Sequence, residues 1–324
     1  MQHLKIQTLL LISFLIIGQN IHAQKPTKTA KRYFSKVADI IKNNYYFIDS
    51  VNFNEIEFKA KQYLSQSTNA SQTYPAIDSI LYNLFDKHSN LMRPKTNQSI
   101  DSLFPLKYPA GRLLNNNVGY IKIPYILGHY DSTQIWVDSL RSIYEKYNDT
   151  NTKGWIIDLR GNFGGNIHPM LTGLYPFFGD TIVLTFVQRN GENEGYRFAN
   201  GFLIGTVENK MVKQLMSYKK LKIGSDNKKL AVIIDNKVAS SGEILAIALS
   251  NRDNTKLFGT ETAGIPTIVR NWQLSDGAFL GIVTGAFLDK HNNPYIRSIK
   301  PNVQVDNINS NEAIDKAIEW INEK

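Results

Sequence analysis

Apolar positions along the chain recur with two different periods, and the change between them divides it. From Thr27 to Phe85 the spacing is three and four. "AKRYFSKVADIIKNNYYF", "FNEIEFKAKQYLSQS" and "YPAIDSILYNLFDKH" each gather an apolar face at helical spacing, and together they predict a small N-terminal helical bundle. The third helix is expected to run on to His88. A polar stretch with prolines, "RPKTNQSIDSLFPLKYPAG", then reads as a connection. Beyond it, short β-branched runs alternate with helical ones. "VGYIKIP", "KGWIIDL", "TIVLTFV" and "KLAVIIDN" read as strands, with "STQIWVDSLRSIYEKY" and "HPMLTGLYPFF" as helices among them. "KLFGT", "TIVRNWQL", "FLGIVTGAF" and "NVQVD" are further strand-like runs, and "NEAIDKAIEWINE" closes as a helix. This alternation predicts an α/β fold with a partly parallel sheet, in which functional loops collect at the C-terminal ends of the strands.

The first residues have a texture of their own. "MQHLKIQTLLLISFLIIGQNIHAQ" carries one lysine, an apolar run from Leu9 to Ile17, and the small residue Ala23 before a polar segment. A bilayer span takes about 20 apolar residues, so this run is too short for one and reads as a cleaved secretory signal. The organisation expected is therefore a signal peptide over 1–23, the helical bundle over 24–92, a connection over 93–112 and an α/β core over 113–324, with the mature protein periplasmic or secreted.

Composition refines this picture in three ways. At 324 residues and 42% apolar content the chain can bury a sizeable core. It has no cysteine, so an exported fold must do without disulfides, and thiol catalysis, thiolate metal sites and lipid attachment through cysteine are excluded. The net charge is +9, with lysines densest in "ENKMVKQLMSYKKLKIGSDNKK", which reads as a solvated helix-and-loop surface; no nucleic-acid signature accompanies it, and no nucleic-acid partner is expected. No metal-ligand spacing and no nucleotide fingerprint is evident, so neither a metal nor another cofactor is expected.

Two loops carry candidate chemistry. In "IIDLRGNFGGN" a strand ends in a loop with Gly161, Gly164 and Gly165, residues that let backbone N–H groups face a ligand without side-chain obstruction. In "VASSGEILAIAL" two serines and a glycine open a helix directly after a strand. A serine there can cap the helix; Ser240 can equally be a nucleophile set where helix-end N–H groups favour developing negative charge. A serine nucleophile needs a base, and histidine is the usual one. His88, His129, His168 and His291 are available after the signal, and the residues by themselves do not choose between His88 and His168.

"GWIIDLRGNFGGN", "VASSGEILAIAL" and "KLFGTETAG", in that order, with "FDKHS" upstream and "YIRSIKPNVQV" downstream, resemble the C-terminal-processing (tail-specific) serine peptidase family that includes the tricorn core. The resemblance implies a crotonase-like mixed sheet core behind an N-terminal helical part. It implies acyl-enzyme peptidase chemistry with Ser240 as nucleophile, His88 as base, and oxyanion donors at the backbone N–H of Ser241 and of one of Gly164 and Gly165. Glu243 matches a glutamate with a supporting role. The sequence departs from the family at Ile265, where the tail-specific branch has its lysine base, and at Tyr295, where the tricorn branch has an acid to orient the histidine. Asp289 and Ser89 are then the candidate third members. Only 31 residues separate His88 from Gly119, too few for an inserted PDZ domain, which needs about 50. The partner expected is a peptide or protein substrate. The alternative is a non-catalytic module of the same scaffold that holds a hydrophobic ligand, as the interphotoreceptor retinoid-binding modules do.

Overall fold

A computed structural model describes residues 25–94, 104–128, 130–218 and 228–323. The expected signal segment, the candidate base His129 and part of the lysine-rich stretch lie outside the described residues.

Helices α1 (Lys28–Asn44), α2 (Phe53–Lys61) and α3 (Tyr74–Tyr82) form the N-terminal part. α1 starts where Thr27 accepts the Ala30 N–H, and it buries Ala30, Tyr33, Phe34, Val37, Ala38 and Ile41 along one stripe. α3 ends six residues before His88, which corrects the expectation of a helix reaching that residue. The chain turns out at Asn83, whose side chain bonds the Ser79 carbonyl at 2.7 Å, and the next N–H groups, of Phe85 and Asp86, donate to the Tyr45 hydroxyl instead of continuing the helix. A helix-terminus explanation for His88 therefore falls away.

Two sheets follow. The first is antiparallel and runs β1 (Asn90–Met92), β12 (Phe279–Leu288), β5 (Ile182–Gln188), β6 (Asn193–Ala199), β7 (Phe202–Val207) and β8 (Lys210–Ser217), with β11 (Thr267–Gln273) and β13 (Pro294–Tyr295) also paired to β12. The bundle covers it: Ile77 and Ile80 share a core with Leu280, Ile282 and Val283. Asp276, in the turn between β11 and β12, accepts the hydroxyls of Tyr33 and Tyr74 at 2.7 and 2.5 Å and fastens the helices to that turn.

The second sheet has the order β14 (Val303–Gln304), β10 (Thr255–Gly259), β9 (Lys229–Ile234), β4 (Gly154–Asp158), β3 (Val118–Lys122), β2 (Ala110–Leu114), parallel except for β2 against β3. Ala110, expected in the connection, begins this edge strand. Burial on both faces explains the near-continuous apolar runs of β4 and β9. Ile157 and Val232 face α4 (Thr133–Tyr147), α5 (Ile167–Gly173) and α7 (Ser241–Ser250), while Ile156, Ala231 and Ile233 face α8 (Glu312–Asn322). Short α6 (Tyr175–Phe178) follows α5. The mixed α/β architecture is the one expected. The segment from Asn193 to Ser217 differs, since it forms three strands, and the lysines from Lys210 to Lys213 sit on β8 and not on a helix or loop.

Candidate active site

The loops leaving β4 and β9 meet at the carboxyl ends of those strands. Asn162, fully buried, joins them: its carbonyl accepts the Ala239 N–H at 3.1 Å, its side-chain oxygen accepts the Gly164 N–H at 2.9 Å, and its amide donates to the carbonyls of Ile123 and Pro124. Asp235 at the end of β9 accepts the N–H groups of Gly161, Lys237 and Val238, so each loop is held by the other. The two glycines are required by space as well as by backbone angle. A Cβ on Gly164 (φ +110°) would lie 2.9 Å from the Ala239 carbonyl and 3.1 Å from the Ser240 Cβ, and one on Gly165 (φ +106°) would lie 2.0 Å from the Ile126 carbonyl.

Ser240 stands at the first residue before α7 with φ 51° and ψ −121°. Ser240 and Glu243 form a capping box at the start of α7, but a capping serine ordinarily holds an extended backbone and a positive φ in a non-glycine residue costs about 1–3 kcal/mol, so capping alone does not account for this conformation. The surroundings fix it. Glu243, fully buried, accepts the Ser240 N–H at 3.0 Å, the Ile265 N–H at 2.9 Å, the Gly264 N–H at 2.8 Å and the Thr262 hydroxyl at 2.5 Å. Burial raises its carboxyl above the ordinary range, and the donors offset only part of that rise. With each oxygen facing two donors, the ionised form is the one that fits. Ser241 sends its hydroxyl to the Gly165 carbonyl at 2.7 Å. Ser240, Ser241, Gly164 and Gly165 are thus brought together. The Gly164 N–H is already given to Asn162.

His88 reaches this region from the other side. It lies between α3 and β1 and lines a cavity of about 320 Å³ together with Thr262, Ala263, Gly264 and Ile265, the segment that shares Glu243 with Ser240. Asp86 fixes its backbone, accepting the N–H groups of His88 and Ser89 at 2.6 Å each and the Ser89 hydroxyl at 3.0 Å. The ring is fixed by Thr267, whose Oγ1 is 2.9 Å from Nδ1. Burial holds the imidazole below its usual pKa, against a smaller opposing pull from Asp86. Neither candidate third member touches the ring. Asp289 spends its carboxylate on the His291 and Asn293 amides of its own turn, and Ser89 is engaged by Asp86 and by the Val283 N–H. His168, on α5, packs edge-on against Tyr196 at 5.4 Å.

Four residues that organise the site were not singled out from the sequence. Asp86, two before His88, has the spacing of an Asx turn and was legible in principle. Asn162 has the same spacing toward Gly164, although its bonds to Ile123, Pro124 and Ala239 are remote; Thr262 and Thr267 are ordinary loop and strand residues whose partners are remote in sequence.

The chain that carries these features has relatives. Residues 117–305 match the model of peptidase family S41. The nisin-resistance protein of Lactococcus lactis subsp. lactis is 29% identical over 283 residues, covering 85% of this chain and 81% of that protein. The carboxy-terminal processing protease CtpA of Bacillus subtilis (strain 168) is 24% identical over 62% of this chain and 38% of its own length. Among solved structures, a lipoprotein from Streptococcus agalactiae superposes with a TM-score of 0.73 at 22% identity over 91% of this chain and 96% of that one, a likeness of fold. The matched family segment contains both sheet-end loops described above and extends over more than half of the sequence, and on that ground the chain belongs to peptidase family S41.

Proposed function

We propose that the protein is an exported serine peptidase that cleaves peptide bonds through an acyl-enzyme. The observation that carries this reading is the strained Ser240, held by Glu243 beside the Gly164–Gly165 loop. Its Oγ attacks the scissile carbonyl while His88 Nε2 removes the proton. The N–H groups of Ser241 and Gly165 receive the oxyanion, and the proton passes to the leaving amine. Water then releases the acyl group by the same route in reverse. Thr267 Oγ1 lies 2.9 Å from Nδ1, and the tautomer this mechanism requires has Nδ1–H donating to it, which leaves the Nε2 lone pair for the serine. Export rests on the signal-like segment over 1–23. The kinship with a nisin-resistance protein makes nisin an early choice of substrate to assay.

A fluorophosphonate probe tests the reading. The wild-type protein is expected to be labelled, Ser240→Ala and His88→Ala to lose labelling, and His168→Ala to keep it. Absence of labelling in folded wild-type protein would instead favour the ligand-holding module, and loss through His168 alone would reassign the base.

A further inference from the structure

The cavity beside His88 has a direction, given the proposed chemistry on which this inference rests. When the acyl-enzyme forms, the Ser240 Oγ–C bond is made, the C–N bond breaks, and the proton taken from the serine leaves on the amine by way of the imidazole. The part of the substrate that departs therefore lies on the side of His88, where the cavity of about 320 Å³ opens. Part of its wall is apolar. Phe47 and Phe85 stand with ring centroids 5.4 Å apart at 56°, and Ile265 and Ile296 add branched side chains to the same lining. Phe85 is 55% exposed, a large aromatic surface left open in the cavity that His88 lines.

Charge adds a second constraint. Lys87 and Arg297 line the same cavity, while its acid, Asp86, has both carboxylate oxygens engaged by the backbone and hydroxyl of the following turn. A basic side chain placed there meets two like charges against one carboxylate already committed to hydrogen bonds, while an apolar one meets aromatic and branched surface.

We propose that this cavity receives the first residue after the scissile bond, and that it selects a bulky apolar side chain and rejects a basic one. A cleft needs volume for one large side chain and an apolar surface to seat it in order to discriminate in this way, and the aromatic and branched part of this lining supplies that surface.

The test is cleavage of a mixture of synthetic unstructured peptides containing every pair of neighbouring residues, with each cut mapped by mass spectrometry. Leucine, isoleucine, phenylalanine and methionine are expected to be enriched directly after the cut, and lysine and arginine depleted. In matched peptides differing only at that position, leucine should exceed alanine by about 10–100-fold in kcat/KM, the range that contacts in an apolar pocket supply. Phe85→Ala should compress the leucine-to-alanine ratio and Phe85→Leu should preserve it. The ratio within one variant is the readout, so partial loss of folded protein does not imitate the effect. K87E combined with R297E should lift the depletion of basic residues.

A protein that labels at Ser240 but cuts without preference at this position, cuts before basic residues, or leaves the mixture intact overturns this inference alone. An unchanged leucine-to-alanine ratio in Phe85→Ala does the same. A protein that neither labels nor cuts overturns the peptidase reading, and this inference with it.

Discussion

His88 shows how a threonine can stand where a carboxylate is expected. Thr267 is only 4% exposed and sits at the first residue of β11, so its hydroxyl is a fixed neutral partner for Nδ1. A neutral partner orients the ring without stabilising the imidazolium, and burial then lowers the pKa. In the proposed mechanism the base works in its uncharged form. Labelling of Ser240 should consequently rise with pH through a midpoint below the ordinary imidazole value of about 6.5. A midpoint above that value would mean that an acid stabilises the ring. Thr267→Val, which removes the hydroxyl and keeps the shape, should slow labelling by about tenfold per folded molecule, the worth of one neutral hydrogen bond. Thr267→Ser should recover the rate. If Thr267→Val lowers only the amount of folded protein and leaves the rate per folded molecule unchanged, Thr267 does not position the base.

At the scale of elements, α7 and the loop before β11 are tied through one side chain. Glu243 sits three residues after Ser240 and gathers donors from Ser240, Thr262, Gly264 and Ile265. Glutamine at 243 would put an amide donor against two existing donors whichever way it turned. Glu243→Gln is therefore expected to destabilise the fold by about 3 kcal/mol, read as a lower urea midpoint, with slower labelling of the folded fraction. An unchanged midpoint would place the anchoring elsewhere. Much of the element pattern was legible in advance: β3, β4 and β9 are apolar runs with β-branched residues, and α4, α7 and α8 have helical spacing. β6 to β8 were not, because Gly195, Asn200 and Gly201 interrupt the pattern and β8 is an edge strand with mostly exposed positions. The early end of α3 was hidden for another reason, since the Tyr45 hydroxyl that takes the following N–H groups comes from about forty residues upstream.

Across the whole molecule, the proposed dyad is assembled from two parts. Ser240 and the glycine loop belong to the parallel sheet, whereas His88 follows the helical part and precedes an edge strand of the antiparallel sheet. Asp276 holds that helical part through Tyr33 and Tyr74, so the position of the base depends on packing far from it. The serine, the glycines and the family resemblance could be read from sequence because they are contiguous motifs. The partner of His88 could not, because it comes from a strand 179 residues away. The most direct test of this assembly is a crystal structure of the protein after reaction with a fluorophosphonate. The account predicts phosphorus bonded to Ser240 Oγ, a phosphoryl oxygen about 2.7–3.1 Å from the amide nitrogens of both Gly165 and Ser241, and His88 Nε2 facing the adduct. An adduct on another residue, or one on Ser240 with the imidazole turned away and no amide at the phosphoryl oxygen, would contradict it.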